Sequence, residues 1–168
     1  MKAWVRRLFP FLLFLLVPGL LLQVTRSGYT RVELREAGTG RKILSTVLRD
    51  GREVVLTWKN SLFRLHVTEI FHARGGTLVL REVTFADPHG PPPPPVDPED
   101  VDDLYHTGGP FSAQGLNRTF TRVTYRVSEI GNPRMKMGDR EVAFKEEVGF
   151  GGGVVLTTAI PKWWETLL

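Results

Sequence analysis

Hydrophobic and polar residues alternate along most of the chain beyond residue 26, and this alternation predicts strands. The clearest runs with a period of two lie at residues 30–36, 42–49, 63–72, 77–85, 118–127 and 154–160. Successive side chains of a strand point to opposite faces, so each run predicts a strand with one buried face. Glycine-containing turns separate the runs at about ten-residue spacing. We therefore predict one all-β domain over residues 27–160, an antiparallel sandwich or a partly open barrel.

The turn sequences between these runs predict tight connections. Asp50-Gly51 and Gly138-Asp139 are dipeptides typical of hairpins, and Gly75-Gly76 marks a further turn. Helical periodicity is not visible outside the N-terminal segment. The pattern therefore indicates strands that follow one another along the chain without intervening helices.

One acidic residue interrupts the third run. Glu69 falls on the apolar face of this strand, between Val67 and Phe71. Burying a bare carboxylate costs several kcal/mol, so Glu69 must be paired, hydrogen-bonded or protonated. Asn60 and Ser61, just upstream, have short polar side chains that could reach it. A structural carboxylate, paired with an arginine or bound by backbone amides, is the simpler interpretation, but this cluster is also the best candidate for a binding site in the sequence.

The N-terminus predicts a membrane anchor. Residues 1–7 are basic and form a cytoplasmic tail, and residues 8–24 are seventeen uncharged residues. As a helix this segment covers roughly 25 Å, close to the hydrocarbon thickness of a bilayer. Arg6 and Arg7 keep the N-terminus inside, so the β domain lies on the extracytoplasmic side of the cytoplasmic membrane. A cleaved signal sequence is the alternative, and the domain would then be secreted.

The charge distribution disfavours a nucleic-acid partner. The sequence pI is about 9.7, but four of the 22 basic residues lie within residues 1–26, which contain no acid. The remaining 18 basic residues match the 18 acidic ones, so the β domain has no excess positive charge. The chain has no cysteine, which excludes disulfides and thiolate chemistry.

A proline-rich acidic segment over residues 87–103 interrupts the rhythm of strands. Five consecutive prolines favour a stiff polyproline II conformation, so we predict an exposed loop. Its carboxylates are weak candidates for a calcium site, because hard cations prefer oxygen ligands. These candidates are Asp97, Glu99, Asp100, Asp102 and Asp103. The spacing is not that of an EF-hand loop, and a solvated acidic loop is the alternative.

The C-terminal segment, residues 161–168, is rich in tryptophan. Trp163 and Trp164 are adjacent and two leucines follow closely. Paired tryptophans are typical of membrane interfaces and of protein contacts. The alternative is that they close one end of the β core.

No catalytic motif is present. Ser61, a histidine and Glu69 are the only triad-like set, but the chain has neither a Gly-x-Ser-x-Gly elbow nor a His-Glu-x-x-His sequence. A serine hydrolase is therefore the weakest of the functions considered. The sequence predicts no enzyme activity and no cofactor apart from the calcium alternative.

Several short motifs together resemble a known family. They are Trp58-Lys-Asn60-Ser61-Leu, Val67-x-Glu69-x-Phe71, the run at residues 76–82, Gly108-Gly109-Pro110, and the hairpin at residues 134–142. Over about residues 30–157 the chain is similar to small exported proteins of unknown function encoded beside, or fused to, TAXI-type TRAP transporters. In that family an aromatic-x-His/Asn-Ser motif precedes a fixed acidic residue.

The resemblance implies a setting and a set of site residues. Trp58, Asn60, Ser61 and Glu69 match the family motif, and we expect Gly108 and Gly109 to lie nearby. The expected function is that of a membrane-anchored accessory protein that binds the membrane subunits or the solute receptor of a TRAP-type transporter. The alternative is an extracytoplasmic ligand- or calcium-binding β module.

Overall fold

The structure is a computed structural model, and it describes residues 28–166. The predicted cytoplasmic tail and the predicted anchor or signal sequence, residues 1–7 and 8–24, lie outside the described residues. Within residues 28–166 no helix is both long enough and apolar enough to span a bilayer.

The described chain is mostly β and forms two sheets. The smaller sheet has the strand order β2-β1-β11-β8, and the larger has the order β10-β9-β3-β4-β5-β7-β6. The strands of the smaller sheet are β1 (Tyr29–Glu36), β2 (Lys42–Arg49), β8 (Arg122–Arg126) and β11 (Gly153–Ala159). Those of the larger sheet are β3 (Glu53–Lys59), β4 (His66–Arg74), β5 (Thr77–Ala86), β6 (Pro95–Val96), β7 (Phe111–Phe120), β9 (Arg134–Met137) and β10 (Arg140–Ala143).

The predicted all-β class is confirmed at this level, and the described strands do not close into a barrel. Neighbouring strands are antiparallel except for β6, which pairs parallel to β7. The prediction of a wholly antiparallel domain is therefore wrong at this edge of the larger sheet.

One hydrophobic core joins the two sheets. Alternate residues of the smaller sheet, such as Leu34 and Leu156, are almost fully buried against residues of the larger sheet such as Leu56 and Phe71. Burial of apolar surface is the main stabilising contribution in such a fold. The alternation in the sequence predicts these inward positions because one face of each sheet meets the core.

Two of the predicted connections are wrong, because the chain changes sheet where the sequence suggested a hairpin or a continuous strand. Asp50-Gly51 links β2 to β3, which lie in different sheets. The Asp50 carboxylate instead accepts hydrogen bonds from the Thr30 hydroxyl and the Gly75 amide. Similarly, residues 118–127 are not one strand: β7 ends at Phe120 and β8 starts in the other sheet.

Two short helices contradict the expectation that helices are absent from the domain. Helix α1 (Val101–Thr107) begins inside the segment predicted to be an exposed loop, and its first residue, Val101, is fully buried. Strand β6 lies in that segment as well. Helix α2 (Phe144–Val148) follows β10 and buries Phe144. A last 3₁₀ turn spans Trp163–Thr166.

The inner face of the larger sheet is covered by two elements side by side. Helix α1 covers the end where Phe85 and Phe111 lie, because Tyr105 packs on both rings. The smaller sheet covers the rest, and its terminal strand is β8. Glu69 lies at the boundary, since Tyr105 of α1 contacts it on one side and Tyr125 of β8 interacts with its charge on the other.

Candidate functional site

Glu69 faces the interior of the fold, as the sequence predicts. On β4 it is flanked by Val67 and Phe71, which are both buried on the same face. Across the ladder it pairs with Leu56 of β3 and Val83 of β5, which are also buried. The carboxylate therefore stands among apolar side chains, and Glu69 itself is only partly accessible to solvent.

Two neutral groups hold the carboxylate. The Tyr105 hydroxyl donates a hydrogen bond to Glu69 Oε1 at 3.1 Å, and the Trp58 indole donates another to the carboxyl group. Burial raises the pKa of Glu69 above its ordinary value of 4.5, and these two hydrogen bonds offset the increase only in part. Tyr105 and Trp58 thus position a carboxyl group that burial favours in its protonated form.

The same boundary contains a small cavity. Its volume is about 250 Å³. Its walls come from β3, β4, β8 and the segment before β9. The lining residues are Leu56, Trp58, Glu69, Thr124, Tyr125, Arg126 and Pro133. Burial, and then the nearby charge of Glu69, raise the pKa of the Tyr125 hydroxyl, which therefore stays protonated at neutral pH. We refer to this cavity as the Glu69 pocket.

Within residues 28–166 the two charged groups of the Glu69 pocket have no partner of opposite charge. Glu69 is hydrogen-bonded by the neutral side chains of Tyr105 and Trp58 and forms no ion pair. Arg126 is exposed and likewise forms no ion pair with a described acid. By contrast, five other arginines of the described residues form ion pairs with acidic partners within 3.5 Å: Arg31, Arg35, Arg41, Arg118 and Arg134.

An aromatic cluster fixes the side of the pocket next to α1. Phe85 is in edge-to-face contact with Trp58, with ring centroids 6.0 Å apart, and with Tyr105 at 5.0 Å. It also stacks on Phe111 at 4.7 Å. Because Phe85 touches both donors to Glu69, the orientation of those donors depends on the packing of the core.

Asn60 and Ser61, which were expected to reach Glu69, do not contact it. The Asn60 side-chain oxygen accepts hydrogen bonds from the amides of Leu62 and Phe63, at 2.9 and 3.0 Å, and closes a local turn. Glu69 pairs with Leu56, four residues before Asn60, so Asn60 lies roughly 13 Å further along the strand direction. Ser61 is exposed in this turn. The prediction that Asn60 and Ser61 bind a ligand or partner remains a prediction.

Gly108 lies against the Phe63 ring, in the turn that Asn60 closes. It follows helix α1 with a φ of +80°, and a Cβ at this position would overlap the Phe63 ring. Gly109 has a φ of +109° and open space around its Cα. Gly108 therefore holds α1, and with it Tyr105, close to residues 60–63. The binding role predicted for both glycines remains untested.

The acidic residues of the predicted calcium site are exposed, and Asp102 forms an ion pair with Arg118 at 2.6 Å. Among residues 28–166 no three histidine or acidic side chains are grouped so that they could hold a metal ion. The structure therefore gives the candidate ligands Asp97, Glu99, Asp100, Asp102 and Asp103 no common centre.

The tryptophan-rich C-terminal segment contacts strand β1. Glu165 forms an ion pair with Arg31 at 2.8 Å, and Pro161 is buried. The Trp164 side chain is 48% exposed, with the Lys162 ammonium 5.0 Å from the ring centroid. The segment is thus attached to the β domain while part of Trp164 faces solvent. The role predicted for Trp163 and Trp164 at a membrane or partner interface remains a prediction.

The triad considered for a serine hydrolase does not assemble. Glu69 is hydrogen-bonded to Tyr105 and Trp58, whereas Ser61 is exposed. His66 is exposed on the opposite side of β4 from Glu69. No described hydrogen bond joins Ser61 to a histidine, so the residues present do not form a charge-relay geometry.

Sequence reasoning identified Glu69 and Trp58 but missed Tyr105, Tyr125 and Arg126. The alternation predicted over residues 118–127 places Tyr125 on the same face as Val123 and Val127, and this is the one signal that could have added it to the site. Comparison of the chain with protein-family models, with curated proteins and with solved structures finds no match.

Proposed function

We propose that this chain is a binding protein rather than an enzyme, anchored by residues 8–24 with its β domain on the extracytoplasmic side. In this proposal it serves as an accessory protein of a TRAP-type transporter of the TAXI class. It acts by binding the membrane subunits or the solute receptor, with the Glu69 pocket as the point of contact.

One observation carries the binding role: Glu69 is an acidic side chain on the apolar face of a sheet, held by Tyr105 and Trp58 beside an open cavity. A carboxylate in this position reduces stability, because burial disfavours its charge. Sites that bind other molecules commonly contain such destabilising groups. The transporter setting is supported by the resemblance carried by Trp58, Asn60, Ser61 and Glu69.

Co-purification tests the proposed function. The full chain, tagged at its C-terminus, is extracted from native membranes in mild detergent, and associated proteins are identified and quantified. We expect transporter subunits in near-stoichiometric amounts with the unmodified chain. We expect a large decrease with Glu69→Gln, which removes the charge with little change in shape.

Glu82→Gln is the matched control for this experiment. Glu82 lies on the neighbouring strand β5, pairs with Ile70, and does not line the Glu69 pocket. It should leave co-purification unchanged. Purification of the unmodified chain without transporter subunits would contradict the accessory role, and equal recovery with both glutamine variants would contradict the role of Glu69.

A second candidate function is that of an extracytoplasmic module for a small ligand. The Glu69 pocket favours it, because its volume of about 250 Å³ is that of a small molecule and its polar groups converge on one space. Equilibrium dialysis of the purified full chain against small metabolites tests this alternative, with Glu69→Gln as the comparison.

A further inference from the structure

We propose that the Glu69 pocket binds a small zwitterion, in which an ammonium group faces Glu69 and a carboxylate faces Arg126. The inference rests on the proposed role of this pocket as a binding site, but it does not require that the partner be a transporter. It is carried by the charges, the aromatic walls and the size of the cavity.

The charge arrangement is the first step. The cavity is lined by one acid, Glu69, and one base, Arg126. Neither forms an ion pair within residues 28–166. An ammonium group beside Glu69 favours its ionised form and so opposes the effect of burial. A simple cation would compensate Glu69 in this way but would be repelled by Arg126, and a simple anion would be attracted by Arg126 but repelled by ionised Glu69. A molecule that carries both charges compensates both groups.

The depth of the two charged groups gives the ligand an orientation. Glu69 is partly buried on the inner face of the larger sheet. Arg126 is exposed at the end of the edge strand β8, where its side chain points away from that of Tyr125, so in this proposal it meets the ligand only at the mouth of the cavity. The ammonium group therefore enters first and the carboxylate stays near solvent. Because Glu69 already accepts hydrogen bonds from Tyr105 and Trp58, its carboxyl group is held in place before the ligand arrives.

The walls of the cavity also favour an ammonium group at the inner end. Trp58 and Tyr125 both line the pocket, and the hydroxyl oxygen of Tyr125 can accept a hydrogen bond from an ammonium group. Leu56 and Pro133 complete the wall with apolar surface that accommodates a short methylene chain. The volume of about 250 Å³ limits the ligand to a molecule of the size of an amino acid.

Isothermal titration calorimetry tests this inference with straight-chain ω-amino acids from glycine to 6-aminohexanoate. The sample is the purified full chain in mild detergent. Butylamine and butanoate serve as probes that carry only one of the two charges. We expect at least one ω-amino acid to bind, and to bind about tenfold more tightly than either single-charge probe, since each charge gains a partner.

Two variants and one control test which residue of the pocket pairs with each charge of the ligand. Glu69→Gln should weaken binding about tenfold or more, because it removes the partner of a largely desolvated ammonium. Arg126→Met should weaken binding about three- to fivefold, since the ion pair at the mouth is exposed. Arg122→Met changes an exposed arginine on the same strand that does not line the pocket, so it should leave binding within about twofold.

The other outcomes each contradict the inference. Butylamine binding as tightly as the best amino acid, with Arg126→Met without effect, would indicate a site for cations, such as a lysine side chain of a protein partner. Absence of binding by every probe would overturn the zwitterion site. If Glu69-dependent co-purification of transporter subunits persisted in that case, the proposed function would stand without this ligand. If both experiments failed, the pocket would have no binding role.

Discussion

The hydroxyl of Tyr105 donates a hydrogen bond to Glu69 Oε1 at 3.1 Å and so joins helix α1 to the centre of the larger sheet. The two residues are 36 positions apart in the sequence. The acidic segment around α1 therefore has a structural role, because the helix places a hydrogen-bond donor next to a buried acceptor. A buried carboxylate oxygen without such a donor would carry the full cost of desolvation.

We expect Tyr105→Phe to destabilise the protein by about 1 kcal/mol, because it removes the hydrogen bond and leaves the Glu69 oxygen without that donor. Urea unfolding at pH 7 measures the change. Tyr29→Phe is the control, since Tyr29 is a partly exposed residue of β1 and does not contact Glu69. Equal destabilisation by the two variants would show that the Tyr105 hydroxyl contributes nothing specific.

How far the sequence predicts this site depends on the element that carries each residue. Glu69 can be recognised in the sequence because it interrupts a regular alternation. Trp58 lies on the preceding strand, β3, and the alternation there places its side chain on the inward face as well. Tyr105 is not visible, since α1 has only seven residues and too few turns to show a period. Its preceding proline run favours an extended chain, which led to the prediction of a loop.

The sheet assignment shows a second limit. Alternation predicts which side chains point inward, and Tyr125 is correctly placed by it. The inward positions shift by one residue where the chain passes from β7 to β8, from Leu116 and Phe120 to Tyr125 and Val127. Such a shift predicts an irregularity, but it does not predict that the second run joins the other sheet. The pocket is formed between β8 and the other sheet, and therefore depends on a tertiary feature that periodicity does not encode.

We expect Glu69→Gln to stabilise the protein at neutral pH but not in acid. Burial raises the pKa of Glu69 in the folded state, so the folded state holds its proton more tightly than the unfolded state does. The stabilising effect of that proton is complete below the unfolded pKa of about 4.5 and is lost as the pH rises through the folded pKa. Glutamine does not ionise, so position 69 causes no loss of stability in the variant over this pH range.

Thermal unfolding of Glu69→Gln and the parent chain between pH 3.5 and pH 8 measures this effect. The difference in Tm should be smallest at the acid end and should grow toward neutral pH, by several degrees if about 1 kcal/mol is recovered. Glu82→Gln should show no such trend. A Tm difference that decreases toward neutral pH would mean that the folded state stabilises ionised Glu69.

Two adjacent glycines allow backbone strain and steric overlap to be separated. Gly108 and Gly109 both have positive φ, but only Gly108 has a neighbour, the Phe63 ring, in the space of a Cβ. Gly109→Ala should destabilise by about 1 kcal/mol through strain alone. Gly108→Ala should lose about 1–3 kcal/mol more, because Phe63 or helix α1 must move.

Guanidinium unfolding measures both alanine variants. If α1 moves in Gly108→Ala, Tyr105 moves with it, and this variant should also change the fluorescence of Trp58, whose indole shares Glu69 with Tyr105. Gly109→Ala should leave that signal unchanged. Equal losses of stability in the two variants would show that the Phe63 ring moves at no cost in free energy. Gly108 would then not determine the position of helix α1.

The attachment of the C-terminal segment to β1 can be measured through Arg31 and Glu165. Their ion pair spans 2.8 Å and both side chains are partly exposed, so a double-mutant cycle with Arg31→Met and Glu165→Gln should give a coupling of about 0.2–1 kcal/mol. Burial opposes ionisation of Glu165, but the Lys162 amide and the Arg31 guanidinium outweigh it and lower its pKa. The coupling should therefore be present at pH 7 and be lost as the pH falls through that lowered value.

Arg35 and Glu33 provide the control pair, because they also form an ion pair on β1 but do not involve the C-terminal segment. Carboxypeptidase digestion should be faster for Glu165→Gln than for Glu33→Gln, since only the former releases the segment from β1. If digestion rates were equal and the Arg31–Glu165 coupling were zero, the 3₁₀ turn would be held by other contacts.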